Sequence, residues 1–328
     1  MCIAILSTAH PDYQFIIINN RDEFLNRPTS RPNWWPAPNT HILGARDLAR
    51  PAHGTWLGIT KHGRVAVLTN CFETDSARAI GSQSRGAIIN GWLTSLPTET
   101  GNTKVDDFVK ALKESGDLSS VGGFNLLLGD LSQLDEPGQL AILSNRSSSR
   151  DCSVGDPEVM TVDAGSGQTL AMSNMPLGLD HNPATMWKKI SLGESLTSEA
   201  ITDSLRSGEG EDAFVERLFG VLSRNTLPRL SGKKAERAES YLSLLRESIF
   251  IPVIGKAVRE EHDGGVGWNE ELLDHAYMEG LYGTQTQTVL LIGYDGRVRY
   301  VARTLYDKGG HPLPMEERDR SFEFRIEK

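Results

Sequence analysis

The sequence predicts an α+β fold, with stacked antiparallel sheets covered by helices. Three observations carry this. Short apolar, β-branched runs joined by tight turns cluster at both ends of the chain. Between them lie two groups of segments whose apolar residues recur at helical spacing. No linker rich in Gly, Ser or Pro and no internal repeat interrupts the 328 residues, so residues 1–328 read as a single domain.

The first element is the apolar run from Cys2 to Ser7, suited to a buried strand. His10-Pro11-Asp12 makes a turn, and the isoleucine-rich run from Tyr13 to Asn19 is the second strand. A hairpin this tight brings Cys2 back alongside Asn19 to Asp22. The stretch from Asn26 to Asn39 holds four prolines and two tryptophans and reads as a loop with aromatic anchors. Trp56 to Ile59 and Val65 to Leu68 form a second hairpin around Lys61-His62-Gly63. Ser84 to Leu93 and Asp106 to Leu112 are helical, and Phe124 to Leu128 pairs with Leu140 to Leu143. Gln168 to Met172 is a strand ending at Ser173-Asn174-Met175-Pro176. Helices follow around Glu199 to Leu205, Asp212 to Leu222 and Ala235 to Leu245, the last with its basic residues on a solvated face. Thr286 to Ile292 and Val298 to Thr304 close the chain as a hairpin around Tyr294-Asp295-Gly296.

Composition narrows the function. Acidic residues outnumber basic ones 43 to 34, a net charge of -9, which disfavours nucleic acid and anionic membrane as partners. The longest apolar runs, such as Phe15 to Ile18 and Thr288 to Ile292, are far too short to span a bilayer. The N-terminus lacks the basic and apolar regions of a secretory signal. Three cysteines, Cys2, Cys71 and Cys152, make neither a disulfide framework nor a zinc motif. The eight histidines are scattered without metal-ligand spacing. These features lead us to expect a cytoplasmic protein in a reducing compartment, with no integral membrane segment, no metal and no required cofactor.

Cys2 is the residue with the most chemical content. Removal of Met1 would leave a thiol nucleophile and an α-amino base, of reference pKa about 7.7–8.0, on one residue. The hairpin presents Asp22 to that pair, where a carboxylate can hold the amine as it holds the base of a triad. Arg21 and Asp22 are neighbours on a strand and point to opposite faces. Both line one site only if the strand ends or bulges there. The alternative is a polar strand end with Arg21 paired to a surface carboxylate.

A series of ordered blocks extends the reading. Met1-Cys2-Ile3, Asn20-Arg21-Asp22-Glu23-Phe24, Arg27-Pro28-Thr29, Trp34-Trp35, Gly44-Ala45-Arg46-Asp47, Gly54 to Ile59 and Leu68-Thr69-Asn70 occur in sequence. Ser84-Arg85-Gly86, Gly123 to Leu126, Met172-Ser173-Asn174 and Tyr282-Gly283-Thr284 follow, the last ahead of Gln287-Thr288-Val289. Together they resemble the NRDE family, also called the transport and Golgi organisation protein 2 family. Gln285 departs from the pattern, where many members have arginine. That family in turn resembles N-terminal nucleophile hydrolases, especially cysteine amidases of bile salts and penicillin V, which implies a four-layer αββα sandwich. The resemblance matches Asp22 to the carboxylate that supports the amine, and it places Asn70 beside the nucleophile. It also makes Asn174 an oxyanion donor. The amidases' own arginine lies three residues before the aspartate, so Arg21 is the weaker match, and no late arginine fills the remaining role.

Two functions follow. On the family's implication, the protein binds or transfers a small hydrophobic or acyl-bearing metabolite (haem, lipid or acyl-CoA) and is linked to secretory-pathway organisation. Haem would then be a transported ligand, and mitochondrial or Golgi-associated fractions would stand beside the cytoplasmic one. On the residues, it is a hydrolase of an amide or thioester using Cys2, Asp22, Arg21, Asn70 and Asn174. Cys71, next to Asn70, should point away from such a site as a small buried hydrophobe. Cys152 lies in a polar loop without a role. Trp34, Trp35, Trp56 and Trp92 either line a hydrophobic pocket or serve the core, the commoner use of tryptophan.

Overall fold

The structure is a computed structural model that describes residues 1–73, 83–95, 105–115, 117–132, 138–146, 158–176, 186–228, 241–256 and 280–327. The strands are β1 (Ile3–Ser7), β2 (Tyr13–Phe24), β3 (Asn33–Trp34), β4 (Ile42–Gly44), β5 (Leu57–Thr60), β6 (Arg64–Asn70) and β7 (Phe124–Asp130). They continue with β8 (Gln139–Ser144), β9 (Glu158–Asp163), β10 (Thr169–Met172), β11 (Tyr282–Gly293), β12 (Arg297–Thr304) and β13 (Asp319–Arg325). The helices are α1 (Arg85–Thr94), α2 (Val105–Ser115), α3 (Asp117–Ser120), α4 (Lys188–Ser207), α5 (Glu211–Leu222) and α6 (Met315–Arg318).

Two antiparallel sheets result. One is six-stranded in the order β10-β1-β2-β11-β12-β13, and the other is a seven-stranded meander from β3 to β9. Strand alternation sorts the side chains into layers. Ala4, Leu6, Phe15 and Ile17 meet Leu57, Val65, Val67, Leu127 and Ile142 between the sheets. Their neighbours Ile3, Ile5, Ile16 and Ile18 face the opposite way, onto Ala200, Ile201, Phe214 and Leu218 of α4 and α5. Ala66, Leu68, Leu126 and Leu128 of the second sheet pack on Ile88, Ile89 and Trp92 of α1 and on Val109 and Leu112 of α2. The order helix, sheet, sheet, helix is the four-layer αββα sandwich.

The structure corrects several expected boundaries. The second strand runs on through the charged residues to Phe24, because β11 pairs with it along that whole length. Within the aromatic loop, Asn33–Trp34 forms a short edge strand against β4. Helix α4 begins at Lys188, well before Glu199, despite Gly193 in its first half. Tertiary packing explains this: Gly193 sits against β1, where a Cβ would lie 2.8 Å from Ile5 Cδ1, so glycine lets the helix close on the strand without moving the Ile5 side chain. Of the helix expected over Ala235–Leu245, residues 235–240 lie outside the described residues. Beyond them the chain makes turns and short 3-10 stretches, among them Leu244–Arg246.

Candidate active site at the N-terminal cysteine

The β1–β2 register pairs Ile3 with Asn20. Continued one and two residues outward, it sets Cys2 opposite Arg21 and Met1 opposite Asp22. Alternation then holds as the sequence requires: Arg21 faces the second sheet and Asp22 faces the helix layer. The Arg21 guanidinium lies 4.4 Å from the Trp56 ring centroid, on the inter-sheet side. The irregularity that would let both reach one site lies on the partner strand. The β2–β11 register shifts between Thr284 and Thr286, leaving Gln285 as the extra residue. Gln285 accepts a hydrogen bond from Arg21 Nη1.

Asp22 is fully buried. Thr284 Oγ1 donates to its Oδ1 at 2.7 Å. Its Oδ2 lies 3.7 Å from the Met1 amine and 3.9 Å from Lys189 Nζ, and makes no hydrogen bond. Lys189, also fully buried, donates to the Met1 carbonyl at 2.6 Å. The Met1 amine donates to the Tyr282 hydroxyl, and Ser173 Oγ donates to the Cys2 carbonyl at 2.7 Å. Cys2 Sγ is 3.8 Å from the Asp22 carbonyl oxygen.

Burial governs the protonation of this group. It pushes the Cys2 thiol and the Asp22 carboxyl up, while the N-terminal amine pulls both back down. It pushes the amine and Lys189 down, and Asp22 opposes that in each case. Each charge therefore depends on its neighbours for its ionised form.

Asn70 ends β6, and Asn174 follows β10 in a turn. Two buried side chains pin that turn. Asn125 Nδ2 donates to the Ser173 and Met175 carbonyls at 2.9 and 2.8 Å, and Thr69 Oγ1 donates to Ser173 O at 2.9 Å. The Asn174 Oδ1 atom is buried without a hydrogen-bond partner.

Cys2, Arg21, Asp22, Asn70 and Asn174 all border one cavity of about 350 Å³ that spans the ends of the two sheets. Trp56, Leu68 and Phe72 give it an apolar flank, and Arg27, Arg50 and Arg85 a cationic one, with Glu23, Asp47 and Glu73 among them. Cys71 also borders the cavity, because β6 ends at Asn70 and alternation no longer applies; its thiol is buried and lies 3.8 Å from Asn125 Oδ1. Cys152 lies outside the described residues. Of the four tryptophans, Trp56 borders the cavity; Trp35 and Trp92 are buried in the α1–sheet layer, and Trp34 packs on Phe322 and Phe324. Among the described residues, no three His, Cys, Asp or Glu side chains are grouped to hold a metal, and no histidine borders the cavity.

Lys189 was not legible as a site residue from local sequence, although a signal exists. Lys189, Gly193, Thr197, Ala200, Ile201 and Ser204 form the buried stripe of α4, and a lysine on such a stripe demands a buried partner.

The layers and the cavity define an αββα sandwich whose first residues enter a charged pocket between the sheet ends. The chain belongs to the Transport and Golgi organisation 2 family, whose model matches residues 1–307. An uncharacterized protein of Saccharomyces cerevisiae is 25% identical to it over 99% of this chain and 100% of its own length. The human Transport and Golgi organization protein 2 homolog is 27% identical over 90% of this chain and 88% of its own. Among solved structures, a variant of the conjugated bile acid hydrolase from Clostridium perfringens gives a TM-score of 0.42 at 10% identity, covering 99% of this chain and 98% of that one. That likeness is distant, and the layer order rests on this chain's own strand pairing.

Proposed function

We propose that the protein is an N-terminal cysteine hydrolase acting on an amide or thioester once Met1 has been removed. The observation that carries this reading is Asp22 Oδ2, a buried carboxylate oxygen with no hydrogen bond, set between the chain's first residue and Lys189. With Met1 gone, the α-amine of Cys2 is the group that can take up that oxygen.

The Cys2 thiol then attacks the substrate carbonyl carbon and passes its proton to the amine. The side-chain amides of Asn70 and Asn174, at the cavity wall, supply donors for the oxyanion. The ammonium returns the proton to the leaving amine or thiolate as the C–N or C–S bond breaks. Water then cleaves the acyl-cysteine, giving one proton to the amine and releasing the acid. Arg21 is turned toward Trp56 and Gln285, and its part is to shape and charge the pocket.

Binding or transfer of a hydrophobic or acyl-bearing metabolite is the second reading, favoured by the Trp56, Leu68 and Phe72 flank. The charged remainder of the wall suits a ligand with a polar or anionic end. Either chemistry can stand behind the transport and Golgi link in the family name.

Intact-protein mass spectrometry joined to Cys2→Ser and Cys2→Ala variants tests the hydrolase. Loss of Met1, an acyl adduct on Cys2 from an activated thioester, and no adduct on Cys2→Ala are expected. Retention of Met1 in the native protein, or full biological rescue by Cys2→Ala, overturns it.

A further inference from the structure

Met1 is half-buried and packs against two apolar clusters. One contains Leu245 and Ile251, and the other Met175, Trp187 and Ile190. Its side chain therefore fills a slot between them. Met1 also borders the cavity at Cys2, so the slot adjoins that cavity. The walls are held without Met1. Ile251 N donates to Thr284 Oγ1 at 2.9 Å, the Met175 carbonyl accepts from Asn125 Nδ2 at 2.8 Å, and Ile190 N donates to the Trp187 carbonyl at 2.9 Å as α4 begins. A slot walled in this way relaxes only partly when its occupant leaves.

Removal of Met1 changes two things at once. The apolar walls lose their filling, at a cost that an apolar ligand recovers. The fully buried Lys189 ammonium loses the Met1 carbonyl, its acceptor at 2.6 Å, and is left with the Leu245 carbonyl at 3.5 Å and Asp22 Oδ2 at 3.9 Å. A buried cation in that state calls for a new oxygen. A carbonyl followed by an apolar chain meets both needs, as the methionyl group does in this structure. The nitrogen and sulfur of Cys2 are close enough for one carbonyl carbon to bridge them in a ring. An acyl group on the sulfur therefore starts beside the place where the methionyl group starts.

We propose that the slot filled by Met1 becomes, in the processed protein, the pocket for the substrate's acyl chain. The substrate class is then a thioester or amide of a straight-chain acyl group about as long as methionyl. This rests on the reading of Cys2 as nucleophile. Hexanoyl has the same run of heavy atoms as methionyl without its amine, whose place at Asp22 the Cys2 amine takes.

The test compares two full-length variants without the Cys2 thiol, each checked by intact mass. Cys2→Ala has a small second residue and loses Met1 in cells, whereas Cys2→Leu has a bulky one and keeps it. Apparent Kd values for acetamide, butyramide, hexanamide and octanamide are read from thermal midpoints. In Cys2→Ala we expect binding to tighten about fourfold per methylene up to hexanamide and to level off at octanamide. In Cys2→Leu the series should be flat. No gain between acetamide and hexanamide in Cys2→Ala, a continued gain at octanamide, or the same gain in Cys2→Leu overturns the slot. The expected series without any acyl adduct on wild-type Cys2 from a hexanoyl thioester leaves the slot in place and removes the hydrolase reading. An adduct without the series does the reverse.

Discussion

Replacing Lys189 by Met tests whether the buried charges around the N-terminus act as a unit. The Lys189 ammonium lies 3.9 Å from Asp22 Oδ2, with both side chains fully buried. At an effective dielectric constant of about 20, two unit charges at that separation attract by about 4 kcal/mol. Removing one partner of a buried pair costs about 3–5 kcal/mol, because the other charge is left behind. The two estimates agree, and they are upper values, since an N-terminal amine, 3.7 Å away on Met1 here and carried by Cys2 after processing, still faces Asp22 in the variant. Met matches the stem of Lys, so little packing is lost. Urea unfolding of wild type, Lys189→Met, Asp22→Asn and the double variant forms a closed cycle. We expect each single change to cost about 2–4 kcal/mol and the double to cost clearly less than their sum, a coupling of at least about 1.5 kcal/mol. A coupling below about 0.5 kcal/mol would refute the reasoning, since Lys189 and Asp22 would then not be interacting as charges.

Two further outcomes follow from the geometry. Asn125→Ala removes the amide that holds the Met175 carbonyl and shares the Ser173 carbonyl with Thr69, and should cost about 2–3 kcal/mol in urea unfolding while lowering kcat with little change in KM; unchanged stability would mean that the turn carrying Asn174 is held elsewhere. Glu211 takes a two-pronged contact from Arg297 at 2.6 and 2.9 Å, which holds its carboxyl below the ordinary range. Its contribution to stability is therefore present above the ordinary carboxylate pKa of about 4.3 and lost as pH falls through the lower folded value. Glu211→Gln should flatten the decline of the urea midpoint below about pH 4.3, and a profile parallel to wild type would contradict this.

The central strands were legible because each is an apolar, β-branched run bounded by a tight turn, and local chemistry suffices for such hairpins. This holds for β1–β2, β5–β6 and β11–β12, while β7 and β8 were legible as apolar runs alone. The reach of β2 to Phe24 was not legible, because Asn20 to Glu23 look like a strand end. Their polar groups find partners only after folding: Asn20 donates to the Leu222 and Ile249 carbonyls, far away in sequence. The edge strand β13 hid among charges, although Phe322 and Phe324 alternate as an edge strand should and face Tyr300 and Val298. Within the site, Cys2 stood out by position, and Asp22, Asn70 and Asn174 came from ordered blocks. Lys189 could not be placed, since its burial depends on Asp22 and on Met1, neither of which is near it in the chain. The opposite faces of Arg21 and Asp22 were legible from alternation alone, and the register shift at Gln285 was not.

The thiol and the carboxylate of the candidate site stand at the ends of β1 and β2, each of which has a hydrogen-bonded strand on both sides. Amide protons on such strands exchange with solvent chiefly through global opening, whereas edge strands and loops open locally. The surroundings of the thiol should therefore keep their shape for as long as the molecule stays folded. Heat should then abolish activity and native structure in a single step.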